Sequence, residues 1–261
     1  MLGGARAANV PAASTLDAGY RNLYNLQFDD AHRAFHEWQQ ANPQDPLGPA
    51  SDAAAYLFFE FNRMHILESE FLTNDKNFQD QKKLSPDART KQAFESQLAR
   101  ARQLADAVLA QEPRNPNALF ASALTLGLRG DYAALIEKRN LAGLSYMKEA
   151  RVLAQRLLAT DPSYGDAYLA LGVENYLLSL KPAPLRWLLR VGGAQTDKAA
   201  GLQDLRFTAE KGHYLAPYAR LLLAVAALRD NDRDRARDLL EGLAREFPQN
   251  PLYVRELALL R

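Results

Sequence analysis

Cysteine is absent from all 261 residues, which excludes disulfide frameworks, Cys-ligated zinc or iron–sulfur centres and any thiol nucleophile. A chain without thiols is tolerated in any redox compartment, so that question stays open. An excess of charge is also missing: 32 Lys and Arg stand against 31 Asp and Glu, for a formal net charge of +1. Nucleic-acid affinity rests on many cations neutralising phosphates, so no broad phosphate-binding surface is expected. Long apolar runs are lacking as well. The richest stretches are broken by charge within about a dozen positions, short of the roughly 20 that a membrane-spanning helix needs. Strand signals are almost absent, because no β-branched alternating run survives.

The N-terminal residues 1–14 read as a flexible lead-in to a single domain over 15–261. Leu2-Gly3-Gly4-Ala5-Arg6-Ala7 resembles the tail of a signal peptide, with Ala5-x-Ala7 suited to a cleavage site. That leans the expected compartment towards export. An ordinary frayed terminus in a cytoplasmic protein is the alternative.

What is present is helix. Windows of Ala, Leu, Arg, Glu and Gln recur with apolar spacings of three and four, and the chain reads as all-α. Four segments punctuate it alike: 42–46 (Asn-Pro-Gln-Asp-Pro), 112–116 (Glu-Pro-Arg-Asn-Pro), 161–166 (Asp-Pro-Ser-Tyr-Gly-Asp) and 247–251 (Phe-Pro-Gln-Asn-Pro). Each is a helix stop followed by a helix start. Proline lacks the N–H that a helix interior needs but suits the first turn, and the neighbouring Asp or Asn caps the next helix.

These residues resemble the tetratricopeptide repeat, a 34-residue helix–turn–helix with small and aromatic residues at fixed places. Gly19, Phe28, Ala31, Phe35 and Pro43 follow the family's intervals in the first copy. Leu119, Ala123 and Leu126 lead into Arg129-Gly130-Asp131-Tyr132 in the third. Tyr168, Leu171 and Gly172 open the fourth, and Ala236, Leu240 and Pro248 close the fifth. The resemblance implies an α-α superhelix, a solenoid of about five helix pairs with a usable hollow along its curved inner face. Ala or Gly lets two helices approach closely, and stacked pairs complete one another's core. The spacing is irregular, so insertions are expected: a long second pair with helices near 50–72 and 86–111, an extended third pair around 133–143, and a segment at 181–196. Residues 252–260 read as a terminal capping helix.

Within 172–222, Gly172-Val-Glu-Asn-Tyr-Leu-Leu-Ser-Leu-Lys-Pro, Trp187-Leu-Leu-Arg-Val-Gly-Gly193 and Asp197-Lys-Ala-Ala-Gly201 are similar to a segment of the inclusion-body-clearance type of tetratricopeptide protein. That group is described as peripheral, associated with mitochondria and lipid droplets, with no enzymatic activity established. The match covers about a fifth of the chain and implies architecture only.

The candidate chemistry is sparse. His32 and His36, four apart on one helix face, have a metal-chelating spacing. The metalloprotease pattern places Glu after the first His, where Arg33 stands, so a surface pair is favoured and no metal or cofactor is expected. Helix 51–72 carries Glu60, Arg63, His65 and Glu68 among Phe58, Phe59, Phe61, Met64 and Leu67. One Glu/His pair is short of a helical-bundle di-metal site, and surface ion pairing is the simpler reading. Trp187 and Arg190 lie in a short basic amphipathic stretch that either tucks onto the next repeat or docks on a partner or membrane surface. Tyr20, Tyr24, Phe120 and Tyr176 fall on inner-helix positions, where aromatics serve as ligand anchors or as core. The Lys and Asn clamp by which some tetratricopeptide domains hold chaperone tails has no counterpart, since Leu16, Tyr20 and Leu23 occupy its places. Neither a phosphate-cradling Gly-rich loop nor a local Ser–His–Asp signature occurs.

The expected function is a non-enzymatic scaffold that binds a peptide or partner protein on the concave face. The expected contacts are Tyr20, Tyr24, Glu60, Arg63, His65, Phe120, Tyr176, Trp187 and Arg190. The alternative is a peripheral membrane or lipid-associated adaptor that uses residues 181–193.

Overall fold

A computed structural model of the protein describes residues 14–68, 85–181 and 196–260. Among them are eleven α-helices and no strand. In chain order these are α1 (Thr15–Tyr24), α2 (Phe28–Ala41), α3 (Leu47–Arg63), α4 (Ala88–Gln111), α5 (Pro116–Asp131), α6 (Asn140–Thr160), α7 (Tyr168–Ser179), α8 (Lys198–Lys211), α9 (Ala216–Arg229), α10 (Arg233–Glu246) and α11 (Pro251–Ala258). A π-turn at Tyr132–Ile136 follows α5, and a 3₁₀ turn at Gly165–Ala167 leads into α7.

The helices pack chiefly on their sequence neighbours, as five pairs and a terminal helix. This is the solenoid that the repeat pattern predicts. The helix starts follow the predicted chemistry. Asn115 and Asn250 cap α5 and α11 through their side chains, with Pro116 and Pro251 in the first turn. Asp45 accepts from Leu47 N at 3.0 Å at the start of α3. Ser14 and Asp17 form a reciprocal capping box at α1.

Burial separates the helices into two layers. Thirteen of the seventeen residues of α3 are buried, against four of twenty-four in α4. The outer helix buries one stripe, Phe94, Leu98, Ala101 and Ala105, whose spacings of four, three and four are those of a single helix face. The inner helices α1, α3, α5, α7 and α9 are covered from both sides. Small residues set the contact distance within pairs. A Cβ on Gly19 would lie 2.3 Å from the Phe35 ring, and one on Gly172 would lie 2.9 Å from Leu205 Cγ, so both glycines sit in the seams that the repeat pattern assigns them.

Three local expectations need correction. The helix expected to reach residue 72 stops at Arg63. His65 adopts a left-handed conformation (φ 58°) and Ile66 N bonds back to Phe61 O at 2.9 Å, a helix stop that drops Ile66 into the core. Asp166 does not cap its own helix; it reaches to the start of α9. The expectation that no segment has membrane-spanning length also changes: 116–136 qualifies by length and composition, but 61% of an 18-residue stretch within it is buried in the stack, where its apolarity serves packing.

The largest difference concerns the hollow. One contiguous apolar core runs from Leu16 of α1 to Leu260 beyond α11. The superhelix is bent until its first helix meets the turn before α9 and the segment between α10 and α11, and the inner face is filled by the chain's own side chains.

Candidate functional site

The inner face is built from rings that consecutive helices aim at one axis. Tyr20 and Tyr24, four apart on α1, meet Phe35 of α2 and Phe58 of α3, and Phe120 of α5 and Tyr218 of α9 join them through Tyr214 and Phe58. Tyr164 and Tyr214 enter from the turns before α7 and α9. Tyr214 stacks on Tyr20 with centroids 4.6 Å apart and planes at 25°, and its other side faces Phe120 at 6.3 Å and 14°. Phe120 touches Tyr164 at 5.3 Å, Tyr24 touches Phe247 at 5.4 Å, and Phe58 touches Tyr218 at 5.5 Å. Offset and tilted arrangements of this kind add to the apolar burial itself.

Hydrogen bonds fasten the rim of this contact. The Tyr24 hydroxyl donates to Tyr214 O at 2.9 Å, Asn250 Nδ2 donates to Tyr24 O at 2.9 Å, and Gln249 N donates to Asn25 Oδ1 at 3.1 Å. His213 Nε2 lies 2.7 Å from Asp17 Oδ1, and Arg255 lies 2.7 Å from Glu68. Burial pushes the phenols of Tyr20, Tyr24, Tyr214 and Tyr218 well above the usual range, so each remains a neutral donor. Between the two lips a cavity of about 20 Å³ remains, walled mainly by Leu23, Tyr24, Phe58, Tyr218, Leu221 and Tyr253. That is room for about one water molecule.

The turn that carries Tyr214 is itself fixed from behind. The Asp166 carboxylate accepts from Leu215 N at 2.9 Å and from Tyr214 N at 3.2 Å, which satisfies N–H groups at the start of α9. Thr208 Oγ1 donates to Gly165 O at 3.0 Å. A Cβ on Gly165 would lie 2.3 Å from the Lys211 backbone, so only glycine lets the two turns approach this closely.

The residues expected to bind a partner divide into three groups. Tyr20, Tyr24, Phe120 and Tyr176 are all buried, the first three in the ring cluster and Tyr176 in a smaller cluster with Leu205, Leu223 and Ala226. They present no surface to a ligand: Tyr214 and Phe247 cover Tyr20, Tyr24 and Phe120, and α8 and α9 cover Tyr176. Glu60 is buried too. It receives both Arg63 Nε (3.1 Å) and Nη2 (2.8 Å), and Arg63 Nη2 also donates to Ser85 O at 3.0 Å. That pair pins the approach to α4. Arg63 and His65 keep substantial exposure, and His65 Nδ1 lies 2.6 Å from Glu68. Trp187 and Arg190 lie outside the described residues.

His32 and His36 differ from the expected free surface pair. Both turn towards α3, where Asp52 is completely buried: His32 Nδ1 lies 2.5 Å from Oδ1 and His36 Nε2 lies 3.0 Å from Oδ2. The His32 ring also packs on Tyr56 at 4.1 Å. Each oxygen of a buried carboxylate thus has an imidazole partner. Among the described residues no group of three or more His, Asp or Glu has a metal-holding arrangement. The sequence signal for Asp52 was a single charge inside the otherwise small-residue run 49–55. Tyr214 carried a weaker one, because the helix break at 212–216 lacks the Pro-x-Asn/Asp-Pro pattern of the turns at 42–46, 112–116 and 247–251.

No family model matches the chain, and no curated protein matches it. Among solved structures, the chain is similar to a thermophilic TPR protein of Thermus thermophilus, at 18% sequence identity over 94% of this chain and 97% of that one, with a TM-score of 0.47.

Proposed function

We propose that the protein is a non-enzymatic interaction scaffold that holds a peptide or partner protein on the inner face of its stacked helix pairs. The supporting observation is the make-up of that face. The inner face gathers Tyr20, Tyr24, Tyr164, Tyr214, Tyr218 and Tyr253. Tyrosine couples a large apolar ring to a polar tip, and this is why binding surfaces favour it. Arg63 and His65 supply exposed polar groups for an approaching segment.

The test compares co-purifying chains captured from the native cell by the wild type and by Arg63→Glu/His65→Glu. A partner retained by the first and lost by the second supports the reading. Turnover of a small substrate by the purified protein defeats it. The alternative, a membrane adaptor acting through 181–193, turns on Trp187 and Arg190, and no observation favours it.

A further inference from the structure

We propose that the contact between α1 and the 213–218 and 247–253 segments is a reversible latch that masks the inner face. The proposal rests on the reading of that face as a binding surface. Four features of the contact carry it.

The first is how the two sides are joined. Within the third and fourth pairs, helices approach backbone to backbone, at Gly130–Gly143 and at Gly172–Gly201. Across the closure the joining is ring on ring at Tyr20–Tyr214 and Tyr24–Phe247, with three hydrogen bonds that each pair a side chain of one side with a backbone group of the other, and the His213–Asp17 ion pair. Such a junction separates without unwinding any helix. The second is composition, since the ring cluster is rich in tyrosine and keeps hydroxyl groups that water satisfies when the contact opens. The third is fit: the cavity lies at this seam, with α1 and α3 on one side and α9 and α11 on the other. The fourth is the turn at 212–216, which holds its shape from behind through Asp166 and Gly165 and therefore does not depend on α1 for its conformation. Tyr214 fills the slot between Tyr20 and Phe120 as a built-in occupant, and His213 sets a base against Asp17.

The latch is tested on the protein alone, by a readout that needs no partner: a permanent contact overturns the latch and moves any partner site off the inner face, whereas a missing partner leaves the latch untouched. Arg21 and Gln249 are exposed on opposite sides of the seam, and the chain has no native thiol. Spin labels on Arg21→Cys/Gln249→Cys report the distance across it by pulsed electron resonance. The expected result is a short-distance population and a minor long-distance one. Tyr24→Phe combined with His213→Ala raises the long population about tenfold, with helix content by circular dichroism unchanged. Urea provides a second measurement that needs no latch variant: the long distance should grow before helix content falls. A single short distance that vanishes only together with the helices, in either experiment, identifies a permanent core contact and overturns the proposal.

Discussion

Tyr214 and Tyr20, 194 positions apart in the chain, stack with centroids 4.6 Å apart, at the centre of the contacts that close the superhelix on itself. The first inner helix and the turn before the fifth pair become neighbours. Side chains that would line a hollow become a core.

Replacing Tyr214 with Ala should therefore act on both ends of the molecule. Removal of the ring uncovers Tyr20 and Phe120 together, and a loss of about 3 kcal/mol is expected by urea denaturation. Tyr214→Phe should cost under about 1 kcal/mol, because the hydrogen bond to this residue uses its backbone oxygen and not its hydroxyl.

Two glycines should respond in opposite directions to the same substitution. Gly165→Ala drives a methyl into the Lys211 backbone and should destabilise by about 2 kcal/mol or more. Gly127, inside α5, has nothing within 4 Å of a built Cβ, so Gly127→Ala should stabilise by about 0.5–1 kcal/mol through reduced freedom of the unfolded chain. Paired thermal melts distinguish the two.

The His32–Asp52–His36 group should be asymmetric under mutation. His32→Ala/His36→Ala strands a completely buried carboxylate, at an expected cost of about 3 kcal/mol. Asp52→Ala removes the buried charge and leaves imidazoles that reach solvent, so its cost should be about 1 kcal/mol. Equal losses would show that the carboxylate's burial is unimportant.

Two carboxyls should tilt the pH dependence in opposite directions. Burial raises Asp131 from 3.8 to about 7. Between those values the unfolded state has released a proton that the folded state keeps, so stability falls as pH rises from about 4 to 7. Asp131→Asn should flatten that slope and stabilise the protein at pH 8. Asp17 behaves conversely. Burial works against its charge, but hydrogen bonds from Ser14 and the contact with His213 outweigh it and hold its carboxyl below the usual value. Its contribution is present above pH 4 and is lost as pH falls through the lowered folded value, and Asp17→Asn should remove this acid-side loss. Denaturation midpoints across pH 3 to 8 check both signs.

Much of the fold was legible residue by residue. The proline-bearing turns, the Asn caps at 115 and 250, and the small residues at 19 and 172 all act through neighbours within a turn or within the next helix. The early stop of α3 was hidden because His65 gives no glycine signal, although it takes the left-handed conformation that glycine usually supplies. The buried partner of His32 and His36 was hidden because Asp52 lies in a different helix, and spacing on α2 alone does not reveal what α3 presents to it.

By itself, the sequence determined the helices, most of their starts and the order in which they pair, because propensity, capping and periodicity operate over a few residues. Only the tertiary structure decided whether the inner face would be open. Curvature of a helical stack accumulates from a small rotation at every pair, and no local pattern records the sum. That sum sets Tyr214 against Tyr20, and with it places the candidate ligand-facing aromatics inside the molecule.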